Sequence, residues 1–154
     1  PSSEKKSRIT VSPFMPHRLD KLVQDASTAC HELREFTKGK TYSDVIGDRG
    51  LQLIIERLFE VLGEALYRIR SLDETAFEKI TEGHRIIGTR NLLAHGYDVV
   101  GHEVLWAAIE SNLEQLEHDL ESLRKALHPL RALISATPLS TVPVSRIFPT
   151  HRSS

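Results

Sequence analysis

The octet Arg90-Asn91-Leu92-Leu93-Ala94-His95-Gly96-Tyr97 brings a guanidinium, an amide, an imidazole and a phenol close together in sequence. That set suits metal-free chemistry on a phosphodiester. Cleavage of RNA needs a base for the proton of the ribose 2′-hydroxyl, a cation to hold the phosphate as charge builds, and an acid for the leaving oxygen. Histidine suits the proton transfers because its unperturbed pKa lies near neutrality, and arginine suits the phosphate through its bidentate donor fork. One chain supplies a single Arg90 and a single His95. A twofold-symmetric homodimer with a composite cleft would supply both acid and base, and makes the better chemical unit.

Taken as a helix, residues 84–95 place Ile86, Ile87, Leu93 and Ala94 on one apolar stripe, with Arg90 near its middle. An unpartnered buried cation is costly, so Arg90 must meet a carboxylate, a subunit boundary or an anionic ligand. His95 follows about 140° round the same helix, which on an unbroken helix would turn the two side chains apart. Gly96 reads as a left-handed C-cap that lets the chain leave the helix at His95 and swing the imidazole and Tyr97 toward Arg90. Singly, each residue has a plainer role: a structural ion pair for Arg90, a helix cap for His95, a packing phenol for Tyr97. Asn91 suits the helix end and a substrate equally.

The pattern Arg-x4-His-x-Tyr in the setting IIGTRNLLAHGYDVV resembles the HEPN superfamily. More narrowly it resembles the HepT-like ribonuclease toxins, partners of minimal (MntA-like) nucleotidyltransferase antitoxins. The resemblance runs from about His17 to Leu127 and includes EVLGEAL before the motif and EVLWAAIESNLEQL after it. It implies an all-α up-down bundle of four to five helices, a homodimer whose two motifs meet in a cleft, and RNA cleavage without metal or other cofactor. Carried over residue by residue, it makes Arg90 and His95 the catalytic pair, Asn91 a polar helper, and Tyr97 the acceptor of AMP from the nucleotidyltransferase. A bulky anion on Tyr97 would compete for Arg90 and block the cleft. Glu64, within EVLGEAL, is a solvated carboxylate by its place on the helix wheel, and a partner of Arg90 by the resemblance.

Composition bounds these readings. A chain of 154 residues, 40% apolar and 27% charged, describes one ordinary globular domain. Neither a membrane-spanning run nor the apolar core of a signal peptide is present in it, and the single Cys30 excludes an intrachain disulfide, so the cytoplasm is the expected compartment. No Cys-x-x-Cys or His-Glu-x-x-His spacing offers a metal cage. The net charge of −1 gives no overall pull toward nucleic acid. Its distribution is uneven: +2 over residues 1–70, −6 over 71–127 and +3 over 128–154. Any RNA site is therefore a local patch. The acidic last helix suits a basic partner, which supports a second function class: a non-catalytic, substrate-binding or regulatory subunit of a nucleotidyltransferase.

The elements that must position the octet follow from apolar spacing. Residues 1–15 read as a flexible arm, 16–127 as the helical domain, and 128–154 as a disordered basic tail rich in Pro, Ser and Thr. Leu19, Leu22, Val23, Ala26, Cys30, Leu33 and Phe36 predict a first helix ending near Gly39. A linker with Tyr42, Gly47 and Gly50 leads to a second, on which Leu51, Ile55, Leu58, Leu62, Ala65 and Ile69 share a face widened by Ile54, Phe59, Val61 and Leu66. Ser71 and Glu74 form the expected capping box of a short helix containing Phe77 and Ile80. The last helix starts near Gly101 with a heptad-like seam of Leu113, Leu116, Leu120, Leu123 and Leu127, suited to the core or to a subunit interface. His84 and His102 flank the octet, near enough to reach its cleft but read first as surface residues, and Trp106 reads as core or interface before RNA stacking.

Overall fold

A computed structural model describes residues 15–95 and 101–129, with side chains from Arg18 onward. The arm before Met15, the tail beyond Pro129, and Gly96 with Tyr97 lie outside the described residues. Six helices are present among the described residues: α1 (Met15–Thr37), α2 (Tyr42–Gly47), α3 (Arg49–Leu72), α4 (Glu74–Phe77), α5 (Gly83–Ala94) and α6 (His102–Leu127).

Four of them, α1, α3, α5 and α6, run alternately up and down as a bundle, as expected. Cross-contacts fix the directions. Arg70 of α3 meets His84 near the start of α5, whereas Gly63 meets Arg90 further along, so α5 runs back along α3. Asp20 of α1 reaches His128 past the end of α6, and Cys30 reaches Leu113, so α6 runs back along α1.

Core positions on α1 are filled by Leu19, Val23, Ala26, Cys30 and Leu33. Phe36 departs from the expected face and is 46% exposed. The next core position along the helix is Thr37, four residues after Leu33, whose hydroxyl is satisfied by donating back to Leu33 O at 2.6 Å. Gly39, at φ +69, then ends the helix in the left-handed region that glycine adopts without strain.

The expected linker is a helix. Thr41 and Asp44 form a reciprocal capping box: Asp44 N–H donates to Thr41 Oγ1 at 3.3 Å and Thr41 N–H to Asp44 Oδ2 at 2.7 Å. α3 starts on Asp48, which accepts from Leu51 N–H, and it buries residues from Leu51 to Ile69 against α1 on one side and α5 on the other. The cap of α4 is Asp73, which accepts from Ala76 N–H at 2.9 Å. Ser71 is not the cap, because it still lies inside α3 and returns its hydroxyl to Tyr67 O. The α6 seam packs inward: Leu113, Leu116, Leu120 and Leu123 are buried and Leu127 is partly so. Trp106 is core as well. Among the described residues no helix is long and apolar enough to cross a membrane.

Candidate active site

Arg90 stands where α5 closely approaches α3, and Gly63 permits the approach. A Cβ built on Gly63 would lie 2.3 Å from Arg90 Cβ and 2.8 Å from its Cγ, distances no pair of carbons tolerates. Gly63 sits inside a long helix, where glycine costs roughly 1 kcal/mol relative to alanine. Only the close crossing explains it. Within EVLGEAL the glycine was visible, and a glycine deep in a helical pattern is the one sequence signal for such a crossing.

The Arg90 side chain, 30% exposed, is held at both amino groups. Nη2 donates to Glu64 Oε2 at 2.5 Å and Nη1 to Asn91 Oδ1 at 3.0 Å. Glu64 is therefore the partner of Arg90 rather than a solvated carboxylate, and Asn91 contacts the guanidinium rather than the helix end. The other Glu64 oxygen accepts from Arg68 Nε at 2.7 Å, so one carboxylate is shared between two guanidiniums. The apolar stripe expected around Arg90 is half formed. Ile86 and Ile87 are buried, Leu93 is half-buried, and Ala94 is exposed beside the groove.

His95 is the C-cap of α5, where the chain leaves the helix as expected. Its backbone N–H donates to Asn91 O, and the residue is exposed. An open groove of about 600 Å³ runs between α1 and α3 past the end of α5. Arg90 and Ala94 line it; His95 is not among its lining residues. Within one copy the structure thus joins Arg90, Asn91 and Glu64, with the exposed His95 at the end of the same helix.

A second carboxylate of α3 holds the far end of the motif segment. Glu56 Oε1 lies 2.7 Å from His102 Nε2, at the first residue of α6, with Arg49 3.5 Å away. Arg90 on α5 and His102 on α6 are thus each held by a carboxylate of α3. His102 serves this anchor and does not line the groove, and His84 stands edge-on to Phe77 with ring centroids 4.8 Å apart. Among the described residues no group of three or more His, Cys, Asp or Glu side chains is placed to hold a metal ion.

Residues 26–123 match the family described as HepT-like, Ribonuclease HepT-like. The chain belongs to the HepT-like ribonuclease family. It is 24% identical over 97 residues to a Methanocaldococcus jannaschii protein named as an RNase, covering 63% of this chain and 88% of the relative. A Thermococcus cleftensis protein named as a ribonuclease HepT is 27% identical over 103 residues, 67% of this chain and 93% of the relative. A Caldanaerobacter subterraneus protein named as an RNase is 27% identical over 116 residues, 74% and 94% of the two chains. No solved structure matches significantly. The HepT-like match ends before the basic tail and begins within α1.

Proposed function

We propose that this chain is a metal-independent endoribonuclease, the toxin of a toxin–antitoxin pair, silenced when a nucleotidyltransferase antitoxin transfers AMP to Tyr97. The observation that carries the reading is Arg90: a half-buried guanidinium oriented by Glu64 and Asn91 at the wall of an open groove, five residues before an exposed histidine. Family membership supports the reaction class.

In the reaction, a His95 imidazole takes the 2′-hydroxyl proton, the 2′-oxygen attacks phosphorus, and the bond to the 5′-oxygen breaks as a second imidazole returns a proton to it. Arg90 holds the non-bridging oxygens while charge accumulates. Two copies supply both imidazoles, so the working unit is a homodimer with a composite cleft. AMP on Tyr97 sets a phosphate beside Arg90 and occupies the place of the substrate.

His95→Ala is expected to abolish RNA cleavage and leave the helical content unchanged, measured on a labelled RNA and by circular dichroism. Intact mass after co-expression with a minimal nucleotidyltransferase tests the switch, with Tyr97→Phe as control. Added AMP mass that depends on Tyr97 and coincides with lost cleavage supports both halves. Unchanged mass and no cleavage in either preparation moves the assignment to a non-catalytic nucleotidyltransferase subunit.

A further inference from the structure

A chain with a net charge of −1 must hold RNA through a local patch. The groove beside Arg90 does not supply it, because Asp25, Glu32, Glu60 and Glu64 line it and outnumber Arg57, Arg68 and Arg90. Charge changes along the same furrow. Beyond Arg68, toward the start of α1 and the end of α3, a second hollow of about 600 Å³ is lined by Arg18, Lys21 and Arg68 against the single acid Asp25. Tyr67 forms part of its wall and is 42% exposed, although large aromatics favour burial. The guanidinium carbon of Arg70 lies 5.4 Å from the Tyr67 ring centroid, a cation–π contact that steadies the ring.

We infer that this hollow is a binding site for single-stranded RNA, in which nucleotides beyond the two joined by the scissile phosphate stack on Tyr67 and set their phosphates on Arg18, Lys21 and Arg68. Basic side chains around an exposed aromatic ring are the chemistry that recognises single strands without reading sequence. Two features tie the hollow to the site. Arg68 lines both furrows and shares the Glu64 carboxylate with Arg90, so the hollow and the groove are continuous. Tyr67 and Ser71 follow Glu64 by three and seven residues, about 5 and 10 Å along α3, which is the reach of the next nucleotides of a strand held at Arg90. The strand leaves the site toward Tyr67 rather than toward Glu60 and Glu32, because among the described residues lining the furrow the basic excess lies in that direction.

This inference rests on the ribonuclease reading, and the experiment separates the two. Binding of a fluorescent single-stranded RNA oligonucleotide is measured by anisotropy on the full chain in a His95→Ala background, across a salt series. Tyr67→Ala is expected to weaken binding about tenfold or more, and Tyr67→Phe, which keeps the stacking face, to stay within about twofold of the parent. Arg18→Gln with Lys21→Gln is expected to lower the slope of log affinity against log salt by roughly 1.4, at about 0.7 per lost phosphate contact. With His95 intact, Tyr67→Ala should lower the rate on a longer strand about tenfold and so lose the advantage of that strand over a dinucleotide. Wild-type cleavage of both lengths with no effect of Tyr67→Ala overturns this inference alone. A wild type that neither binds nor cleaves single-stranded RNA overturns the ribonuclease reading and this inference together. A Tyr67→Ala protein that binds RNA normally but changes its mass in sedimentation makes the surface a protein interface, which also overturns it.

Discussion

The crossing at Gly63 gives a quantitative test of how Arg90 is positioned. Gly63→Ala puts a methyl group 2.3 Å from Arg90 Cβ. Carbon contacts become ordinary near 3.5 Å, so α5 must retreat from α3 by roughly 1.2 Å at Arg90. Overpacking of this kind costs about 1–3 kcal/mol, and alanine returns roughly 1 kcal/mol through helix propensity, which leaves a net loss of about 0–2 kcal/mol. Catalytic geometry is less forgiving: displacement of a catalytic group by about 1 Å costs on the order of a hundredfold in rate. The expected outcome is a melting temperature lowered by no more than several degrees together with a far larger fall in kcat/KM on RNA. Gly88→Ala is the control. Gly88 lies on the same helix, two residues before Arg90, with open space around its added methyl. That change should stabilise by about 0.5–1 kcal/mol and leave the rate alone. Initial rates and calorimetry on both variants check the contrast. If Gly63→Ala raises the melting temperature as Gly88→Ala does and keeps its rate, α5 yields freely and the close approach does not set Arg90.

Two further predictions concern titratable groups away from the motif. Burial raises the Asp119 carboxyl, but hydrogen bonds from Thr81 N–H at 2.8 Å and from Gln115 outweigh it, so its pKa lies below the usual aspartate value. A depressed folded pKa means a stabilising contribution that is complete above about pH 4 and lost as pH falls through the folded value. Asp119→Ala should therefore lower stability at neutral pH by roughly 1 kcal/mol and flatten the acid limb of the melting curve, and an unchanged acid limb would contradict the assignment. The Cys30 thiol is pushed up to about 12, first by burial and then by the Glu117 charge, with Arg34 opposing. Its raised pKa favours the folded state below about pH 8.5 and ceases to do so as pH climbs through the folded value. Iodoacetamide at mildly alkaline pH should label Cys30 only as fast as the chain unfolds, read by intact mass; rapid labelling of the native protein would refute this.

Apolar spacing made most of the bundle legible. Val23, Cys30 and Leu33 on α1, Ile55, Leu62 and Ile69 on α3, and Leu116 and Leu120 on α6 are all fully buried, as helical periodicity requires. What stayed hidden was settled by competition between neighbours. Tyr42, Gly47 and Gly50 suggested a linker, yet the Thr41–Asp44 box is enough to nucleate α2, which then buries Val45. Ser71 was the expected cap, and Asp73 takes the role because α3 runs on through Leu72. In the site, the Arg90 partner was foreseen through the resemblance, whereas the wheel alone assigned Glu64 to solvent. The wheel erred because α3 is covered on two sides, and Glu64 stands at the margin where α5 approaches. Tyr67 and the Glu56–His102 anchor carried no local signal, since each acquires its meaning from helices distant in sequence.

Under the proposed function, the shared carboxylate lets a half-buried arginine serve a transient anion. In the free protein Arg90 needs a counter-charge, because an unpaired cation in that position would be destabilising. A lone Glu64–Arg90 pair would present the opposite difficulty: once Arg90 turned to a phosphate, Glu64 would face an incoming anion with nothing to neutralise it. Arg68 resolves this by holding the other oxygen of the same carboxylate at 2.7 Å. When a phosphate takes the donors of Arg90, Glu64 keeps a guanidinium, and repulsion between carboxylate and substrate is reduced. The arrangement makes a specific demand on Arg68. It must stay close enough to Glu64 to compensate it while lining the hollow that leads away from the site, and its position one turn after Glu64 on α3 meets both conditions.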